Sequence, residues 1–366
     1  MNFDFSEDDY LVRDQATRLL ANHCSLGVVR AVLDGQADAA EPVWQALADM
    51  GLMGTAVPER FGGAGAGYLP LCLVARELGA ALAPVGFSSS VYLVTEALLK
   101  YGSESQQASW LPGLARGELK GALALVESPQ ACTPESIALT ASNGSLSGHK
   151  LLVTDGGNAD LAVVVARDSA GISLYLADLR NNGVSRSAMA TVDPTRDSSR
   201  LEFQDTAAEL LGEAGQGWEA LAELYNRAAV LYAFEQLGGA QRALDMAVDY
   251  AKQRFAFGQA IGSFQALKHM MADMYVALKL AESNCYYAAW ALASDSPELP
   301  LASATARVSA TGAYQLCARD NIQVHGGMGF TWEFDCHLYY RRSNYLALQL
   351  GGLTQWENKL ISALPR

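Results

Sequence analysis

The sequence predicts a mainly α-helical protein with a central β domain, and three observations carry this. Apolar residues recur at three–four spacing over long stretches near both ends of the chain. Between them, short apolar or alternating runs are separated by turn-forming residues, which is strand and hairpin chemistry. The period changes near residue 118 and again near residue 214. The expected domains are therefore 1–117 (N-terminal, helical), 118–213 (central β) and 214–366 (C-terminal helical bundle).

Residues 1 to about 117 read as helices. Ser6 is a candidate N-cap followed by acids in the first turn, with Phe5 and Leu11 opening an amphipathic helix. Trp44, Leu47 and Met50 keep helical spacing before a break over Gly51–Gly65, where Pro58 and a run of glycines predict a structured loop. In the middle, ALALVE, LAVVVAR and ISLYLADL are the apolar runs, and Asn143-Gly144, Gly156-Gly157 and Asn181-Asn182-Gly183 the turns. SLSGHKLLVT (Ser145–Thr154) reads as two short strands around a turn, and the set predicts a small antiparallel barrel or sandwich. From Gln216 helices return: Trp218, Leu221, Leu224, Ala228 and Leu231 mark a buried stripe running to about Ala251. Further helices are expected from Phe264 towards Leu292 and from Leu301 to Ile322, giving a four-helix bundle.

Composition narrows the function. Half of the 366 residues are hydrophobic, 18% are charged and the net charge is −13, with no basic run. That excludes nucleic acid and anionic membrane surfaces as expected partners. Cys24, Cys72, Cys132, Cys285, Cys317 and Cys336 form no CxxC pair, and His23, His149, His269, His325 and His337 no cluster, so no metal site is expected. The acidic start is no signal peptide and no run approaches the length of a membrane span, so a soluble cytoplasmic protein is expected.

Two stretches carry ligand chemistry. In QRFAFGQAIGSFQ (Gln253–Gln265), Arg254 offers a fork of donors suited to a pyrophosphate, Phe257 a flat apolar face, Gly258 a turn and Gln265 an amide for a base edge. In QVHGGMGF (Gln323–Phe330), Gly326, Gly327 and Gly329 allow a backbone to approach a ligand closely. Taken alone, RFAFG is more often a helix–helix corner with a charged surface residue.

Taken as a pair, the two stretches resemble those of the acyl-CoA dehydrogenase flavoproteins. GLMGTAVPERFGGAG (Gly51–Gly65) and WLPGLARGE (Trp110–Glu118) resemble the same family, and the likeness covers nearly the whole chain. It implies an acyl-CoA substrate, FAD as cofactor and an oligomer in which Arg254, Phe257, Gln265, Gln323, Gly326 and Gly327 hold the pyrophosphate and adenine of a neighbour's FAD. It also implies that strand ends at Val126 and Thr154 flank the flavin ring, with Thr154 near N5.

The departures from the family are plain. Leu152 stands where an aromatic is usual, and SPQACTPES (Ser128–Ser136) replaces a small-residue run. Proton abstraction next to the thioester needs a carboxylate of raised pKa. The two positions where the family keeps one fall at Leu350 and Ala228, and the arginine that often follows the second falls at Ala229. Glu235, set among Val230, Leu231, Ala233, Phe234 and Leu237, is an acid whose burial would raise its pKa, though such an acid more often pairs with an arginine. His325 is more suited to packing than to base chemistry. No catalytic residue is therefore assigned. The chain resembles the shorter, base-lacking subunits of heteromeric bacterial acyl-CoA dehydrogenases, implying a heterotetramer with a homologous partner and a role in steroid side-chain or lipid breakdown. The alternatives are a homo-oligomeric dehydrogenase with an unconventional base, and a flavoprotein of the same fold with other oxidation chemistry.

Overall fold

The computed structural model describes residues 4–129 and 132–364. In chain order its first helices are α1 (Glu7–His23), α2 (Leu26–Leu33), α3 (Glu41–Asp49), α4 (Tyr68–Ala80), α5 (Glu96–Tyr101) and α6 (Glu104–Ala115). A π-helix over Ser88–Thr95 runs directly into α5. Strands β1 (Gly121–Ala124), β2 (Thr140–Ser142), β3 (Ser145–Thr154), β4 (Leu161–Asp168), β5 (Gly171–Asp178), β6 (Val184–Ala188), β7 (Ser198–Ala207) and β8 (Glu209–Leu211) follow. Then come α7 (Gly217–Gln253), a hairpin of β9 (Phe255–Ala256) and β10 (Gln259–Ala260), α8 (Gln265–Ala293), α9 (Leu299–His325), α10 (Cys336–Leu348) and α11 (Leu353–Ala363). The described residues gather into two compact units, one of residues up to 36, 68–83 and 229 onward, the other of 37–67 and 84–228.

The first unit is helical. Ser6 caps α1 through a capping box, its hydroxyl accepting from the Asp9 N–H at 3.2 Å while the Asp9 carboxylate accepts from the Ser6 N–H at 2.8 Å. Phe5 is buried edge-on against Phe234 and Tyr286, with centroids 6.0 and 5.0 Å away. Leu11 is exposed (58%) instead of sharing that face. Helices α4 and α7 touch backbone to backbone: a Cβ on Gly79 would lie 1.8 Å from the Glu235 carbonyl, and one on Gly238 1.8 Å from that of Arg76. Only glycine fits both crossings. Gly239 is likewise held against the Tyr314 ring of α9.

A fully buried arginine organises the far end of this unit. Arg307 on α9 donates to Gln236 Oε1 at 2.8 Å and to the carbonyls of Leu346 and Gln349, the latter at 2.7 Å. Those carbonyls lie at the end of α10, where the Leu346 carbonyl also accepts from the Gln349 N–H at 3.2 Å, so the guanidinium adds a side-chain cap to the helix C-terminus. Burial pushes the Arg307 pKa down to about 10.

The second unit centres on a sheet of strand order β6-β7-β3-β2-β4-β5-β8, with β1 joined to β4. Most pairs are antiparallel as expected, but β1 runs parallel to β4. Ala122, Ala124, Leu146, Val153, Val164, Leu201 and Phe203 fill its core. Ser145–Thr154 is one strand, not two around a turn: register shifts between Leu146 and Gly148 and between Lys150 and Val153 absorb the irregularity as bulges against β7. The Gly51–Gly65 loop holds two short 3₁₀ turns, Leu52–Gly54 and Glu59–Phe61. Trp44 is anchored by donation to the Gly117 carbonyl at 2.8 Å, while Met50 is exposed (41%).

Candidate cofactor and substrate site

Helix α7 stops one residue before Arg254, whose N–H still donates to the Tyr250 carbonyl at 2.8 Å. The chain then makes the β9–β10 hairpin with Phe257 and Gly258 as its central residues. Both carry positive φ, +54° and +81°, as a two-residue type I′ turn demands. Gly258 takes that conformation freely, whereas a bulky aromatic in it is strained, and such strain collects where function imposes it. The strain presents Phe257 to solvent at 95% exposure. Arg254 is exposed, and its guanidinium makes no hydrogen bond or ion pair among the described residues. Gln265 is the exposed first residue of α8.

Helix α9 ends beside this corner. The His325 ring stacks on Tyr250 at 4.1 Å and 23°, and Phe334 lies edge-on to both. This aromatic contact brings together the two motifs that the sequence paired. His325 Nδ1 lies 2.8 Å from the Asn321 carbonyl, and burial pulls the imidazole pKa below its ordinary value while that carbonyl pulls it back up. Its place is packing, as the sequence suggested. Gly326 turns the chain out of α9 with φ +59°, and a Cβ built on Gly326 or Gly327 meets nothing within 4 Å. Gln323 is exposed on the last turn of α9.

Neither position at which the resemblance leads one to expect a base holds an acid. Ala228 and Ala229 are completely buried in α7. Leu350 follows α10 with φ +60°, and its carbonyl accepts from Trp356 Nε1 at 3.2 Å. Glu235 is buried (3% exposed), with its Oε1 3.9 Å from Arg342 Nη1. The carboxylate thus faces a buried guanidinium, the arginine pairing that the sequence favoured for it over a role as base.

In the second unit, Val126 lies just past β1, and its carbonyl accepts from the Leu151 N–H at 2.6 Å. Beneath it, fully buried Lys150 donates to Glu127 Oε1 at 2.6 Å and to the Leu125 carbonyl at 3.0 Å. Burial lowers the Lys150 pKa, and Glu127 partly restores it. Thr154 ends β3, half-buried and paired with Ser198. Leu152 has positive φ and is 49% exposed. Of SPQACTPES, Gln130 and Ala131 lie outside the described residues. Sequence reasoning passed over Ser88, Ser89, Asp155 and Arg196, which form a bonded cluster next to Thr154. Their only signal was the serine run itself.

Among the described residues no group of histidine, cysteine and acidic side chains suits a metal, and no helix is long and apolar enough to cross a membrane.

Residues 6–118 match the model of the acyl-CoA dehydrogenase N-terminal domain, and residues 215–356 that of the C-terminal domain. The chain is 34% identical over 340 residues to acyl-CoA dehydrogenase IpdE2 of Mycobacterium tuberculosis, spanning 92% of this chain and 91% of that protein. Its fold matches the ChsE4–ChsE5 complex of the same organism with a TM-score of 0.88 and 26% identity, covering 100% of both chains. A variant of the Tcur3481–Tcur3483 steroid ACAD matches with a TM-score of 0.88 and 26% identity, over 98% of this chain and 97% of that one.

Proposed function

This chain belongs to the acyl-CoA dehydrogenase family, and from that premise we propose that it is a base-lacking subunit which completes the FAD site of a partner subunit. The observation that carries the proposal is an asymmetry. The residues suited to a neighbour's cofactor are present and the Arg254 guanidinium has no partner among the described residues, while Ala228 and Leu350 stand where a base is needed.

FAD is the cofactor of this family, and the residues present fit it. Arg254 is a free bidentate donor suited to a pyrophosphate, and in a chain of net charge −13 an unpaired exposed arginine suits an anionic ligand. The open backbone at Gly326 and Gly327, with the Gln323 and Gln265 amides, suits the adenosine half. Phe257 supplies a flat apolar face beside them in sequence. When bound, FAD supplies the hydride acceptor for α,β-desaturation of an acyl-CoA thioester. Arg254, Phe257, Gln265, Gln323, Gly326 and Gly327 would hold and orient a neighbour's FAD across the subunit boundary, and Val126 and Thr154 would face a flavin ring on this chain's own side. The proton next to the thioester is taken by the partner's carboxylate. A steroid side chain or similar lipid is the proposed acyl class, supported by likeness to a steroid ACAD and to a two-chain complex.

The test is co-expression with a longer homologous chain that keeps the glutamate, followed by counting FAD per chain and dye reduction with a panel of acyl-CoAs. Turnover is expected to need the partner's glutamate and Arg254 here, and to survive Glu235→Gln. Robust turnover by the single protein, abolished by Glu235→Gln, overturns the proposal in favour of a homomeric enzyme with an unconventional base.

A further inference from the structure

The π-helix over Ser88–Thr95 opens with three consecutive serines, all buried, and each is bonded to a different part of the second unit. Ser90 Oγ accepts from the Gly121 N–H at 2.8 Å, at the first residue of β1. Ser89 Oγ donates to Asp155 Oδ2 at 2.5 Å, and Ser88 Oγ accepts from Arg196 Nη2 at 2.9 Å. Arg196 and Asp155 are themselves an ion pair at 2.5 Å with the guanidinium 2% exposed. A π-turn is rare and is found mostly where function requires it. Here the wider turn lets three successive hydroxyls reach three partners.

The two strands so fastened are the ones that carry Val126 and Thr154. Strand β1 leads to Val126 within two residues of its end, and a Cβ on Gly121 would lie 2.7 Å from that of Val94, so β1 rests directly on the π-helix. Asp155 follows Thr154 immediately, in a left-handed conformation of φ +57°. The loop beyond it is tied back by the Asp155 N–H to the Asp197 carbonyl at 2.9 Å and by the Gly157 N–H to Asp197 Oδ2 at 2.6 Å. Burial and the neighbouring Asp155 charge raise the Asp197 pKa. On the other side, a Cβ on Gly86 would sit 3.2 Å from that of Asp155, so glycine eases a close approach of this segment to Asp155.

We infer that Ser88, Ser89 and Ser90, with Asp155 and Arg196, are positioning residues that fix the spacing between the Val126 and Thr154 strand ends, and so set how this chain's own flavin-facing side grips an isoalloxazine ring. The inference rests on the FAD proposal above and adds the device that shapes the grip. The five are assigned no contact with the flavin and would act through Val126 and Thr154.

The experiment uses the full chain co-purified with its partner. Ser89→Ala and Asp155→Asn remove the hydroxyl link and the ion pair with little change of volume. Each is expected to weaken FAD retention about tenfold, the equivalent of one lost charged hydrogen bond. Each is also expected to shift the visible flavin absorption bands and the flavin reduction potential, with far-ultraviolet circular dichroism unchanged. Ser89→Thr, which keeps the hydroxyl, restores the spectrum. If Ser89→Ala fails to fold, Asp155→Asn carries the same readouts. Unchanged flavin spectrum and retention in the folded variants overturn the inference. Arg254→Ala in parallel separates the two ideas: if it retains FAD, the FAD proposal fails, whereas FAD loss there with no effect at Ser89 and Asp155 sinks only the positioning role.

Discussion

Among the described residues the Arg254 guanidinium has no partner, just past the end of a 37-residue helix, and its role is separable from the fold. Arg254→Ala is expected to strip flavin from the assembly when cofactor is scarce, and Arg254→Lys to rescue only in part, because a point charge lacks the fork. FAD content after gel filtration measures both. Phe257 makes the complementary case. Phe257→Asn relieves the positive-φ strain, since asparagine tolerates that region, so melting temperature should hold or rise. FAD affinity should fall over the same change if the ring is used as a ligand face. His325 predicts a pH dependence. Its folded pKa lies below 6.5, so the native state binds fewer protons than the unfolded chain between that value and 6.5. Stability therefore rises with pH across this window and is lost on acidification through it. Thermal melts from pH 4 to 8 should show this slope, and His325→Phe should flatten it.

The elements show where sequence is informative. Local chemistry was legible: the Ser6 N-cap, the stop of α7 within two residues of Ala251, and the glycine turn at Gly326 all follow from neighbours in sequence. Features set by distant partners were not. Leu11 keeps the helical period yet faces solvent, because which stripe is buried depends on what packs there. The parallel pairing of β1 with β4 joins segments forty residues apart in register, which no local period encodes. The π-helix differs from an α-helix by one residue per hydrogen bond, and an all-buried segment shows no periodicity to reveal it. The Gly79–Gly238 crossing predicts its own test. Gly238→Ala should lower stability by roughly 1–3 kcal/mol or more through overpacking, measured by urea unfolding, since two backbones would have to part.

At the scale of the whole molecule, the family and the α–β–α order were legible because motifs are spread along the chain, and the matched domain models span 6–118 and 215–356. Within the candidate site, Arg254 and the glycines stand out by residue type alone, and the expectation that Glu235 pairs with an arginine agrees with its place 3.9 Å from Arg342. Expressed alone, the chain is expected to show acyl-CoA dehydrogenation lower by about 10²–10⁴-fold than a complete enzyme, the usual loss without a general base. Leu350→Glu alone is not expected to restore it, because Leu152 and the Ser128–Ser136 stretch also depart from the family. Light scattering should find a dimer or tetramer, or a poorly soluble chain rescued by its partner. Tyr275, Val276 and Leu280 expose an apolar stripe on α8 that favours such assembly.

The cap that Arg307 places on α10 bears on how this lineage changes. The carbonyls of Leu346 and Gln349 are fastened by a guanidinium from another helix, so the turn at Leu350 owes its shape to the main chain and to Arg307. With the turn so held, substitution at position 350 is expected to alter chemistry before it alters structure. A gene duplicated from a complete dehydrogenase could shed its reagent at this position while its product still folded, assembled and remained useful to its sibling.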